Sequence, residues 1–201
     1  MGDPYILMLI ALAILAMVDL VVGVSNDAVN FLNSAIGSRA ITIRNIMIIA
    51  SIGVFFGAIT SSGMMEVARK GIFNPGEFMF NEIMIIFMAV MITDILLLDF
   101  FNTVGMPTST TVSIVFELLG ASVAMALIKI GVNNGDFSDL AMYINTEKAT
   151  QIILGILLSV VVAFSIGAIV QWISRLLLSY DFASRANWVS AIFGGVALTA
   201  I

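Results

Sequence analysis

Long apolar runs alternate with short polar patches along the whole chain, and the runs have the length of membrane spans. Tyr5 to Val24 is one run of about the 20 residues that a bilayer requires, interrupted only by Asp19. Ile46 to Met65 is a second, free of formal charge, and Ile83 to Phe101 a third, with Asp94 and Asp99 inside it. Pro107 to Ile130 is a fourth, carrying Glu117 and ending near Lys129. A polar stretch from Gly131 to Lys148 separates it from a fifth run, Ala149 to Ser174. Ala186 to Ile201 is a sixth and reads as a span cut short. Runs this long and continuous predict helices and exclude the short alternating strands of an outer-membrane barrel. The expected fold is therefore all-α and integral to the membrane, with about six hydrophobic segments. Met1-Gly2-Asp3 has no basic n-region and no small-residue cleavage site follows, so the first run reads as a span and not a removable signal. Residues 1–130 hold the polar clusters, 131–148 form a polar loop, and 149–201 hold further spans.

Composition agrees. The 201 residues are 61% hydrophobic and 10% charged, with a mean hydropathy of +1.13. A soluble domain has about a quarter of its residues charged. The lipid bilayer is the expected solvent, most naturally the cell (inner) membrane. A cytosolic enzyme and a disordered tail are excluded, and eight basic against 13 acidic residues leave no surface for nucleic acid. Cysteine and histidine are both absent, which removes disulfides, thiolate chemistry, haem and most zinc sites. No cofactor is expected beyond coupling ions.

An ionisable or strongly polar group at bilayer depth is costly, so each needs a partner or a function. The densest polar stretch runs from Gly23 to Ser38. On a helix Asn26, Asn30 and Asn33 share a face, with Asp19 one heptad earlier, while Asp27, Asn30 and Ser34 form the neighbouring stripe. This column of carboxylate and amide oxygens offers the ligands that a hard cation takes. A merely solvated helix end fits less well, because Phe31, Leu32, Ala35 and Ile36 punctuate the stretch. The second cluster runs from Asn102 to Thr111. Gly105 and Pro107 break the helix that ends near Phe101, and Pro107 suits the start of the next. Ser109, Thr110 and Thr111 then sit at a helix N-terminus, where hydroxyls, free backbone N–H groups and the positive dipole end cradle an anion. Broken helices of this kind hold substrates in secondary transporters.

Three acidic residues lie outside these clusters. Asp94, Asp99 and Glu117 are each placed to bind a cation or relay a proton, whereas Glu66 and Glu82 lie near span ends and read as hydrated. Gly53 and Gly57 form a small-residue pair suited to close helix contact.

Asn26-Asp27-Ala28-Val29-Asn30 with Gly37-Ser38, followed by Gly105-Met106-Pro107-Thr108-Ser109-Thr110-Thr111, resembles the inorganic phosphate transporter (PiT) family over about residues 5–130. That family repeats a Gly-x-Asn-Asp-x-x-Asn signature in each of two inverted halves. Each half also has a re-entrant hairpin tipped by roughly Gly-x-Pro-x-Ser-Thr-Thr. The resemblance implies one half of an inverted-repeat transporter fold and symport of inorganic phosphate with sodium or protons. By position, Asn26, Asp27 and Asn30 would be the ion ligands, with Asp27 holding sodium. Ser109, Thr110 and Thr111, with Asn30, would hold phosphate. Val24 stands where the signature has Gly, Phe31 where a small residue is usual, Asn33 where Gly is usual, and Val112 where His is frequent. Each motif occurs once, so the second half of a transporter or an antiparallel homodimer is the implied partner.

Electrostatics supports cation coupling separately. Phosphate and Asp27 would share a low-dielectric site with no Lys or Arg nearby except Arg39, and dipoles and hydroxyls alone do not neutralise that sum. Sodium bound by Asp27 and the amide oxygens would. The alternatives are a carrier of another oxyanion such as sulfate, and a proton-coupled phosphate carrier. An enzyme is not expected: an aspartyl site from Asp27 with Asp94 or Asp99 would leave the hydroxyl cradle without purpose.

Overall fold

A chain in lipid must satisfy its backbone N–H and C=O groups internally, and uninterrupted apolar runs do so as helices. The structure, a computed structural model, describes residues 4–39, 41–60, 71–133, 135–178 and 182–199. The helices are α1 (Pro4–Ser38), α2 (Ile43–Thr60), α3 (Phe80–Val104), α4 (Thr110–Val132), the single turn α5 (Leu140–Tyr143), α6 (Thr146–Leu178) and α7 (Phe182–Thr199). Among the described residues there is no strand, only an isolated antiparallel bridge between Phe73 and Ile144. Five helical stretches are long and apolar enough to cross a membrane: Pro4–Ala28 within α1, and α2, α3, α4 and α6. The protein is an all-helical integral membrane protein. The sixth expected segment is helical as part of α7 but is not among these five, since Arg185 and Asn187 near its start dilute the apolar run. The second run is helical as far as it is described, to Thr60, and its expected end at Met65 lies outside the described residues.

The chain divides into two compact units, residues 1–150 and 151–201. In the second, α7 and the greater part of α6 expose large apolar side chains, Phe164, Trp172 and Trp188 among them, as lipid-facing helices do.

In the first unit α1, α3 and α4 pack together. Tyr5 meets Phe80 ring to ring, and Asn26 reaches Asn102. So α1 and α3 run parallel, while α4 returns antiparallel along α3. The core lies between the hairpin arms, where Met84, Ile86, Val90 and Leu98 of α3 and Val115, Leu118, Ala126 and Ile130 of α4 are buried. Along α1, by contrast, Asn26 is the only fully buried residue among those described. The apolar length of α1 is available to lipid, and its polar midpoint is what the hairpin covers.

The end of the bundle holding Tyr5 and Phe80 is closed by the segments before α3 and after α4. Within the expected polar loop, Phe137–Asp139 forms a 3₁₀ turn that leads into α5. Asn74 and Asn145 donate their backbone N–H groups to Tyr143 and Ile72, at 2.9 and 3.0 Å. Phe78 packs on Phe73 and Tyr143, and Lys129 lies over the Phe78 and Tyr143 rings at 5.7 and 5.9 Å. The Lys129 ammonium also donates to Glu82 at 2.9 Å and to the Glu77 carbonyl at 2.8 Å. Glu82 is thus not simply hydrated: it is half of an ion pair. The bundle is pinned at this end and polar at the other.

Candidate functional site

The hairpin tip is built by local backbone chemistry. Gly105 ends α3 at φ 74°, the left-handed conformation that glycine adopts at least cost. Its N–H bonds the Asn102 carbonyl at 3.2 Å and the Met106 N–H bonds that of Phe101 at 3.0 Å, the paired pattern of a Schellman stop. Pro107 follows, and Ser109 caps α4 by accepting from the Val112 N–H at 3.4 Å. Five residues thus turn the chain and leave the N-terminus of α4, with its dipole and free N–H groups, facing α1.

Asn26 clasps this tip. It is 1% exposed, donates from Nδ2 to Asn102 Oδ1 at 2.8 Å and accepts at Oδ1 from the Thr108 N–H at 3.1 Å. Asn102 in turn donates to the Val22 carbonyl at 3.4 Å. Most of the bonding capacity of Asn26 therefore goes to the fold, and only a remaining lone pair of Oδ1 is open to an ion. One residue on, Asp27 Oδ2 accepts from the Thr110 hydroxyl at 3.0 Å. Beside these bonds opens a cleft of about 420 Å³ lined by Asp27, Asn30, Phe31, Pro107, Thr108, Ser109, Thr110 and Thr111.

The two polar clusters of the sequence thus share one cleft. Asp27, Asn30, Ser109, Thr110 and Thr111 line it, and Asn26 lies behind it. Asn33 and Ser34 are exposed farther along α1 and do not line it, and Asp99 is exposed on α3. Asp94 and Glu117 lie deeper in the bundle, beside Asp19. Sequence reasoning did not single out Asn102 and Thr108 as site residues. An Asn in the last turn before a Gly stop was the available signal for the first; Thr108 contributes a backbone N–H, which no side-chain pattern reveals. Val24, the departure at the signature glycine, is 44% exposed and turns away from the hairpin, so it leaves the clasp intact. Gly23 is the close-approach position instead: a Cβ there would lie 3.8 Å from Leu98 and 3.9 Å from Thr110.

Among the described residues no basic side chain lines the cleft. An anion seated there would meet N–H groups, hydroxyls and the helix dipole, together with the Asp27 carboxylate. That combination suits an anion and a small cation together better than either alone.

Fold and cleft define a membrane protein whose long helix is gripped at its polar midpoint by a broken helical hairpin. The chain belongs to the phosphate transporter family, whose model matches residues 23–199. It is 29% identical over 151 residues to a Thermococcus kodakarensis protein named putative phosphate permease, covering 74% of this chain and 33% of that one. A Pyrococcus abyssi protein of the same description is 32% identical over 142 residues, covering 70% and 34% respectively. A Helicobacter pylori protein so described is 32% identical over 105 residues, covering 51% and 20%. The chain thus matches about a third of the length of its archaeal relatives. No solved structure matches it.

Proposed function

We propose that this chain is one half of a secondary carrier that moves inorganic phosphate across the membrane together with a cation, sodium in the first instance. The observation that carries this reading is the cleft itself. It sets the Asp27 carboxylate and Asn30 against Ser109, Thr110 and Thr111 at a helix N-terminus, with no basic side chain among the described residues of its lining. Phosphate would take the hydroxyls and the N–H groups of the first turn of α4. Sodium, held by Asp27 with amide oxygen from Asn30, would offset the carboxylate and part of the phosphate charge. Each ion then makes the site tolerable for the other, which is the thermodynamic content of coupling. The chemistry is binding and release with no bond broken, so the protein acts as a symporter and not as an enzyme. The other half of the site would come from a second, inverted half or an antiparallel copy.

Uptake of radiolabelled phosphate into proteoliposomes, with and without an inward sodium gradient, tests this. Saturable, sodium-dependent uptake that sulfate does not compete away is expected. Uptake driven equally by a proton gradient without sodium would remove sodium, and stronger competition by sulfate than by phosphate itself would remove phosphate.

A further inference from the structure

Two turns below the cleft, about 12 Å along the helices, the bundle holds a second polar layer. Asp19 of α1, Asp94 of α3 and Glu117 of α4 meet there: Asp94 faces the carboxyls of both Asp19 and Glu117, and Asp19 and Glu117 are close enough to interact. Asp94 is 2% exposed. One oxygen of each carboxylate, Asp19 Oδ1, Asp94 Oδ1 and Glu117 Oε2, is buried without a hydrogen-bond partner. Among the described residues, the side-chain donor to this layer is the Ser113 hydroxyl, which bonds Glu117 Oε1 at 2.7 Å.

Three carboxylates gathered inside an apolar bundle do not readily all carry charge, since like charges at low dielectric repel strongly and Asp94, which faces the other two, is fully buried. The cation on the same helices is Lys129, three turns beyond Glu117 and already paired with Glu82. Among the described residues no group of three or more acidic side chains is arranged to hold a metal ion. A proton answers both deficits: it removes one charge, and it turns a carboxylate oxygen into a donor for the orphaned oxygen beside it.

We propose that Asp19, Asp94 and Glu117 form a proton-binding site inside the bundle, distinct from the cleft, in which at least one proton is shared between neighbouring carboxylates. A proton arriving from solvent bonds one carboxylate oxygen, and the resulting O–H donates to an oxygen of the next. Because α1 and α4 each contribute an acid to this layer and polar groups to the cleft above, and α3 carries both Asp94 and the Asn102 bonded to Asn26, occupancy of the site is linked to how tightly the three helices close. The site does not depend on the cleft's being a phosphate site.

The test is infrared spectroscopy of the whole chain in lipid vesicles at neutral pH, in sodium-free potassium buffer and again in sodium. A protonated-carboxyl C=O band that shifts in D₂O is expected in both buffers. It should lose half or more of its intensity in Asp94→Asn and in Glu117→Gln, and be unchanged in Asp27→Asn. Glu117→Gln keeps the Ser113 bond, and its helicity, read by circular dichroism, shows that the loss is not one of folding. Absence of the band at neutral pH overturns the proposal, as does its persistence in both variants. A band seen only without sodium overturns it in favour of a sodium site. Loss of phosphate uptake in Asp27→Asn with the band intact separates this layer from the cleft.

Discussion

Asn26 and Asn102 join the middle of α1 to the last turn of α3 through one side-chain bond of 2.8 Å. The bond lies beside the residues at which α3 stops, and the same Asn26 holds the Thr108 N–H on the far side of the turn. A helix and both sides of a hairpin tip thus converge on one amide. In an environment without water a bonded amide is a specific clasp, because an alternative packing would leave its donor and acceptor empty.

Asn26→Ala is therefore expected to destabilise the protein by about 1–3 kcal/mol, the cost of leaving the Asn102 oxygen and the Thr108 N–H without partners. Asn102→Ala should cost a similar amount, and the double variant less than the sum of the two, because both act on one bond. Thermal or denaturant unfolding in detergent checks this; strictly additive effects would show that the clasp is not a unit.

Gly105→Ala puts a Cβ into a left-handed position at φ 74°. Nothing lies within 4 Å of that Cβ, so the penalty is conformational and not steric crowding. A loss of about 1–2 kcal/mol is expected. Since Gly105 is not among the residues lining the cleft, any accompanying loss of phosphate affinity would report that the tip has moved. Unfolding and binding measured on the same preparation distinguish the two.

Much of this site was legible in the sequence, and the limits are physical. Polar residues inside apolar runs stand out whatever the fold, so Asp27, Asn30 and the Ser109–Thr111 hydroxyls were visible as candidates, as was the Gly105–Pro107 break. Which acids turn inward was not visible. Asp94 and Asp99 are five residues apart on one helix, about 140° round its axis, and sequence treats them alike. Only the packing of α1 and α4 buries the first and leaves the second exposed. Asn33 and Ser34 continue the polar stripe of Asn30, yet they lie past the cleft lining, so a helical face alone overstates a site. The approach of Asp19 to Asp94 spans most of a hundred residues of chain and rests on the parallel register of α1 and α3. No local pattern encodes that register. The ion pair of Lys129 with Glu82 likewise depends on register, here of α4 against α3.

Lys129→Met removes an ammonium that serves Glu82, the Glu77 carbonyl and two aromatic faces at once. The pair is about one-fifth exposed on each side, so solvent screening weakens it without abolishing it. A destabilisation of about 1–2 kcal/mol is expected from the orphaned acceptors. Lys129→Arg should recover most of it, because a guanidinium both pairs with carboxylate and stacks on rings. Phosphate binding should be unaffected by either change, since Lys129 lies at the opposite end of the bundle from the cleft. A loss of binding with stability unchanged would contradict that separation.

Asp27→Asn isolates the charge at the cleft from its geometry. The amide oxygen of Asn can still accept from the Thr110 hydroxyl, now 3.0 Å from the carboxylate, so the hairpin should stay seated and unfolding should move by less than about 1 kcal/mol. What disappears is the negative charge proposed to hold sodium. Sodium should then no longer tighten phosphate binding, and uptake driven by a sodium gradient should fall by about tenfold or more, the equivalent of about 1.4 kcal/mol of lost coupling. Thr110→Val gives the complementary case: the charge remains but its hydroxyl partner is gone, so sodium dependence should persist while phosphate affinity drops. Isothermal titration of phosphate at several sodium concentrations reads both. Sodium dependence that survives in Asp27→Asn would take the cation away from this carboxylate, and equal losses in the two variants would show that charge and hydroxyl serve only the packing of α1 against the hairpin.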